Sequence, residues 1–160
     1  MKSWRSTVTR HIFVNVQTRR QLVEIDLSTG AIAARIDLPG ADGNHGLLIV
    51  GQARLAFIAC EGNSKLLVLD MRTMRVSQSF DVGRNPDVLA LDASASTVYV
   101  AGEGGVVPMF RFDGTHVAKV GEGSLGPNAH VVYVDPATHR SYFALKDLNG
   151  HPALRIMAPQ

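Results

Sequence analysis

A short aromatic–aliphatic triplet recurs along this chain and sets its period. Phe13-Val14-Asn15, Phe57-Ile58-Ala59, Tyr99-Val100-Ala101 and Tyr142-Phe143-Ala144 begin 44, 42 and 43 residues apart. Asn44, Asn85 and Asn128 recur at steps of 41 and 43, each in a Gly/Pro/Asn/Asp cluster that precedes an apolar run. Asp26, Asp70 and Asp113 recur at 44 and 43, each just after an apolar residue. A period of about 40–45 residues belongs to a four-stranded propeller blade. The 160 residues therefore predict an all-β fold, a partial β-propeller of about four blades built from antiparallel four-stranded repeats.

The second unit shows the strand pattern most fully. Leu47 to Val50 is a continuous apolar run, expected to be an inner strand buried on both faces. Leu55–Cys60, Lys65–Asp70 and Arg75–Phe80 follow, the last alternating Val76, Gln78 and Phe80 with Ser77 and Ser79. Gly51-Gln52 and Glu61-Gly62-Asn63-Ser64 have hairpin length and composition. The expected units, within a single domain over residues 1–160, span about 10–39, 46–82, 87–120 and 130–157. The first lacks an inner strand and the last lacks an outer one. Pro108 falls near the third strand of unit three, where an interior strand should not carry proline. That strand is expected to start at Met109 or to bulge at Pro108.

Composition narrows the function classes. A net charge of +2, with Arg19-Arg20 the sole adjacent basic pair, gives no footprint for nucleic acid. No apolar run approaches the ~20 residues of a membrane helix. The residues after Met1 lead into no apolar segment of a signal peptide. The chain, if complete, is expected in the cytoplasm. The single cysteine, Cys60, ends an apolar run and reads as a buried structural thiol. No multi-cysteine metal site is possible, and no cofactor is expected.

The triplets, together with Ile25-Asp26-x-x-Thr29-Gly30, Leu69-Asp70-x-x-Thr73 and Asp135-Pro136-Ala137-Thr138, resemble the YVTN-repeat (YncE-like) seven-bladed β-propeller family. The resemblance runs from about Arg10 to Met157 and corresponds to the C-terminal half of such a ring. It implies fold rather than activity, because one fold hosts many functions. The departure in length fits either a half-propeller or a truncated gene product. For a fragment of a family-like precursor, the periplasm or the exterior replaces the cytoplasm. A half ring leaves blade faces open, so self-association through those faces is expected. Trp4 to Thr9 contains β-formers that can supply a missing strand or remain a tail.

In relatives of this fold, ligands meet one face and the central channel. The loops entering the inner strands hold Asn44 and His45, then Arg84, Asn85 and Asp87, then Asn128 and His130. The loops after the second strands hold Gln17, Glu61, Glu103 and Lys146. His45, Asp87 and His130 each lie twelve residues before Phe57, Tyr99 and Tyr142, so they share one repeat position. Counted from the asparagines, His45 is displaced by one. These residues are ligand-contact candidates, but inter-loop hydrogen bonding is the first expectation for them, ligand contact the second, and a metal the last. Glu61 and Glu103 are either a carboxylate pair or solvated turn residues. Asp26, Asp70 and Asp113 are expected to cap turn backbone. His11, His116, His139 and His151 are given no role.

Gly121-Glu122-Gly123-Ser124-Leu125-Gly126 matches a dinucleotide fingerprint, but Pro127-Asn128 and an apolar run follow it, not a helix. It is expected to be a loop between blades. Two functions follow: a non-catalytic binding or interaction module, or a lactonase-like hydrolase with its site on the channel face. The motifs do not decide whether the chain is an enzyme.

Overall fold

The computed structural model describes residues 10–159. Among the described residues fourteen strands form four separate antiparallel sheets in chain order. Blade one contains β1 (His11–Val16), β2 (Gln21–Asp26) and β3 (Ile32–Asp37). Blade two contains β4 (Asn44–Val50), β5 (Leu55–Cys60), β6 (Lys65–Asp70) and β7 (Arg75–Asp81). Blade three contains β8 (Pro86–Asp92), β9 (Thr97–Gly102), β10 (Val106–Asp113) and β11 (His116–Ser124). Blade four contains β12 (Val131–Val134), β13 (Ser141–Leu148) and β14 (His151–Met157). Among the described residues blade one has no inner strand and blade four no outer strand. The proposed strand role of Trp4 to Thr9 lies outside the described residues. No helix among the described residues is long and apolar enough to cross a membrane.

Each strand pairs with its chain neighbour, so local turn chemistry sets most of the topology. Arg20, Arg54, Ser64, Met74 and Ser96 take left-handed φ at or beside these hairpin turns. Asp26 Oδ1 accepts the Ser28 amide at 2.7 Å and Asp70 Oδ1 the Arg72 amide at 2.8 Å. Asp92 and Asp135 bind Ser94 and Ala137 in the same way. Asp113 makes no such bond; Gly114, at φ 58°, closes its hairpin instead.

Three inter-blade cores hold the blades together. Leu22 and Ile36 pack on Ile58 and Leu67 between blades one and two. Phe57 and Val68 meet Val98 and Phe110 between blades two and three. Ala101 and Val107 meet Val132 and Phe143 between blades three and four. Apolar burial at roughly 25 cal/mol per Å² makes these faces the main source of stability.

Several details depart from the sequence expectations. The strand buried on both faces is β5, fully buried throughout, whereas Leu47 and Leu48 are half-buried and Ile49 is exposed. The inner strand borders the channel, so only a middle strand has a blade against each face. β10 begins at Val106, not Met109, and contains Pro108. Its ladder with β9 begins only at Met109, so proline's missing N–H costs that ladder nothing. The bulge falls at Met109/Phe110 on the β11 side. β11 continues past Val120 to Ser124, so Gly121 to Ser124 is outer strand and not loop. β13 also runs on through Lys146 to a turn at Asn149-Gly150, which moves Lys146 from loop to strand.

Candidate functional site

The site is built on the inner ends of blades one to three. Gly43, Asn85 and Asn128 have φ of 62°, 49° and 59°, and stand at the same place ahead of β4, β8 and β12. Only glycine and, less easily, asparagine take this left-handed turn cheaply. Glycine therefore replaces asparagine in blade two, and Asn44 slips one place into β4. That slip explains the displaced count. With it removed, His45, Asp87 and His130 are equivalent: Asn44 and Pro86 pair with Cys60 and Gly102, the ends of β5 and β9.

The asparagines are engaged in the scaffold. Asn44 is buried, and its Nδ2 donates to Asn15 Oδ1 and to the Gln21 carbonyl, both at 3.1 Å. Its Oδ1 has no partner among the described residues. Asn15 Nδ2 in turn donates to the carbonyls of His45 and Gly46, at 2.9 and 3.2 Å. Asn85 Nδ2 donates to Glu103 Oε2 at 2.9 Å, and the Asn128 amide donates to the Glu103 carbonyl at 2.9 Å. The Asn85 and Asn128 bonds tie their entering loops to the loop after β9, and the Asn44 bonds tie blade two to β1 and β2 of blade one.

The inner strands approach one another closely at Gly46. A Cβ there would lie 1.9 Å from the Asp87 carbonyl oxygen and 2.7 Å from Leu89 Cδ1. Glycine thus lets β4 and β8 close, and the neighbouring side chains of His45 and Asp87 meet. His45 Nε2 lies 3.3 Å from Asp87 Oδ1, and His45 Nδ1 lies 3.8 Å from Glu61 Oε1. The imidazole is bracketed by two carboxylates. One donor atom from each of the three residues falls within 4.8 Å of the others, which is the donor set and approximate spacing of a divalent cation site. His130 does not belong to this cluster.

Beside it, a cavity of 320 Å³ is lined by Gln17, Gly43, Glu61, Gly62, Asn85 and Glu103. Gln17 Nε2 donates to Glu61 Oε2 at 3.3 Å across the boundary between blades one and two. Glu61 and Glu103 thus share one cavity, and Glu61 also belongs to the His45 cluster. Arg84 is exposed and makes none of the ion pairs found among the described residues. Lys146 does not line the cavity.

Two other features bear on chemistry. Burial pushes the Cys60 thiol up to about 11, so it is inert near neutrality, in keeping with a structural role. At the far end of β8, His139 Nδ1 lies 3.2 Å from both oxygens of Asp92 and 3.1 Å from Ser94 Oγ. Serine, histidine and aspartate meet here, but Ser94 and Asp92 address the same ring nitrogen. A nucleophile relay needs them on opposite nitrogens, so the contact is a clamp between blades three and four. His139 therefore has a structural role that the sequence did not show. Asn15 was legible in principle, being polar where Ala59, Ala101 and Ala144 repeat.

No family model matches the sequence, and no curated protein matches it. Solved structures do. Kuenenia stuttgartiensis hydrazine synthase superposes with a TM-score of 0.80 at 14% identity, covering 93% of this chain and 43% of that one. The dihydro-heme d1 dehydrogenase NirN, solved in complex with DHE, gives 0.66 at 20% identity, covering 93% and 35%. A functionally unknown protein from Desulfotomaculum acetoxidans gives 0.69 at 13% identity, covering 94% and 58%. The chain spans less than two thirds of each. At these identities the likeness is one of fold. These neighbours are β-propeller proteins, and the present chain has the fold of a partial β-propeller.

Proposed function

We propose that the chain is one partial-propeller unit acting as a binding module, and that its channel mouth takes a small polar ligand of positive charge. The observation that carries this reading is the gathering of carboxylates around one open cavity: Glu61 and Glu103 line it, and Glu61 with Asp87 brackets His45. Carboxylates lining a concave site raise the local concentration of cations. Side-chain bonds from Asn15 to the His45 and Gly46 carbonyls and from Gln17 to Glu61 join blades one and two beside the cavity, so less of the site has to be ordered on binding. The test is titration calorimetry with zinc, with calcium and with arginine methyl ester. At least one should bind, more weakly as salt rises. Glu61→Gln combined with Asp87→Asn should lower that affinity about tenfold or more, as expected for loss of about 1.4 kcal/mol. Absence of heat with all three probes would count against a cationic ligand.

A hydrolase is the second reading, favoured by His45: Asp87 stands 3.3 Å from Nε2 and can orient the ring, while Nδ1, 3.8 Å from Glu61 and beyond hydrogen-bond distance, is left to take a proton. Among the described residues the cavity lining has no hydroxyl or thiol, so water would be the nucleophile. A lactone panel with and without zinc tests it. Turnover that His45→Ala abolishes supports the base, and turnover that survives the change removes His45 from the chemistry.

A further inference from the structure

The imidazole at the channel mouth separates one class of cation from the rest. The three side chains of its cluster come from three elements on two blades: His45 from β4, Glu61 from the turn after β5, and Asp87 from β8. Asp87 Oδ1 lies 3.3 Å from Nε2 and Glu61 Oε1 3.8 Å from Nδ1, so each ring nitrogen faces a carboxylate. A neutral imidazole carries one N–H and one lone pair. Whichever nitrogen holds the proton, the other sets its lone pair against a carboxylate oxygen. An ion seated between them turns that opposition into ligation. One donor atom from each residue lies within 4.8 Å of the other two. Tetrahedral bonds of about 2.0–2.2 Å place ligand atoms about 3.3–3.6 Å apart, so the set has to close by about 1 Å at most. The side chains of His45 and Glu61 are 51% and 35% exposed, which leaves them room to close. Gln17 Nε2 holds Glu61 Oε2 at 3.3 Å and leaves Oε1 toward the ring, a support of the kind that orients metal ligands. Glu103, the other carboxylate of the cavity, is instead engaged by Asn85 at 2.9 Å.

The geometry points to one divalent ion of the first-row transition class, with zinc as its type, held by a ring nitrogen of His45 and one carboxylate oxygen each of Glu61 and Asp87. The inference rests on the cationic reading of the channel mouth and narrows it to a metal. A neutral imidazole and two carboxylates balance the charge of such an ion. Imidazole is the donor that favours zinc and its neighbours, whereas calcium and magnesium favour sets made of oxygen alone. Three protein ligands leave a fourth position for water, and the adjoining 320 Å³ cavity gives that position access. Two of the ligands belong to blade two and one to blade three, so the ion joins the blades where Gly46 lets β4 approach β8. An ion that binds only the folded chain also stabilises it. His130 shares the repeat position of His45 but stands outside the cluster.

Calorimetric titration of the chelator-treated chain with zinc chloride, calcium chloride and arginine methyl ester tests this, run beside the variants His45→Ala, His45→Gln and His130→Ala. Zinc should bind once per chain, about tenfold or more tighter than calcium. His45→Ala should weaken zinc about a hundredfold or more, because the nitrogen donor is lost, and should change calcium and arginine methyl ester by less than about threefold. His45→Gln keeps most of the bulk without the imidazole and should lose zinc in the same way. His130→Ala should match the parent with all three probes. At roughly a hundredfold excess over its Kd, zinc should raise the thermal midpoint of the parent by about 5 °C or more and leave that of His45→Ala unmoved. His45 is half exposed, so both of its variants should keep the circular dichroism of the parent. A parent that binds no zinc overturns the inference; calcium or arginine methyl ester still binding then leaves the cationic reading standing, and silence with all three overturns both. Calcium as tight as zinc overturns the choice of metal class. Zinc binding that survives both His45 changes overturns the site, because the ion then sits elsewhere.

Discussion

At the scale of single residues, the close approach at Gly46 links stability to the site. An alanine there drives a Cβ into the Asp87 carbonyl, which is backbone and cannot turn aside. Gly46→Ala should destabilise by about 1–3 kcal/mol, measured by urea unfolding, and should separate His45 from Asp87. Asp92 is the second such residue. Burial raises its pKa, but the Ala95 amide, Ser94 and His139 outweigh that and hold the carboxyl below its ordinary value of 3.8. A lowered folded-state pKa gives stability that is fully present above the ordinary value and is lost as pH falls through the lowered one. Asp92→Asn should therefore cost about 1–3 kcal/mol near neutrality and flatten the acid side of the stability profile. Cys60 should resist thiol reagents at neutral pH until the chain unfolds, as followed by the rate of colour release from a disulfide reagent.

Among elements, depth in the array sets behaviour. β5 is buried along its whole length, and β6 nearly so, whereas β14 is mostly exposed and β1 has no buried residue. Amide hydrogen exchange should be slowest in β5 and β6 and fastest in β1 and β14. Phe57→Ala should cost about 3–5 kcal/mol, because its ring fills the core between blades two and three. Element order and hairpin positions were legible in the sequence, because alternation and turn residues are local signals. The extents of β10 and β11 were not. Pro108 is tolerated because the β9 ladder stops short of it, and Gly121 to Ser124 is strand because a partner strand lies alongside. Neither fact is local.

For the whole molecule, three packed blade interfaces among the described residues make an array whose interior strands are its best buried part. The sequence by itself determined the repeat, its four units and the shared position of His45, Asp87 and His130, because a period is a property of the chain alone. It also contained the left-handed turn that Gly43, Asn85 and Asn128 fill. Only the tertiary structure decided that His45 meets Asp87 and Glu61 while His130 stays apart, and that the inner strand is half open. Those outcomes depend on how closely adjacent inner strands approach. That distance is set by side-chain volume across the blade boundary, where Gly46 stands against β8, and no spacing along the chain records it.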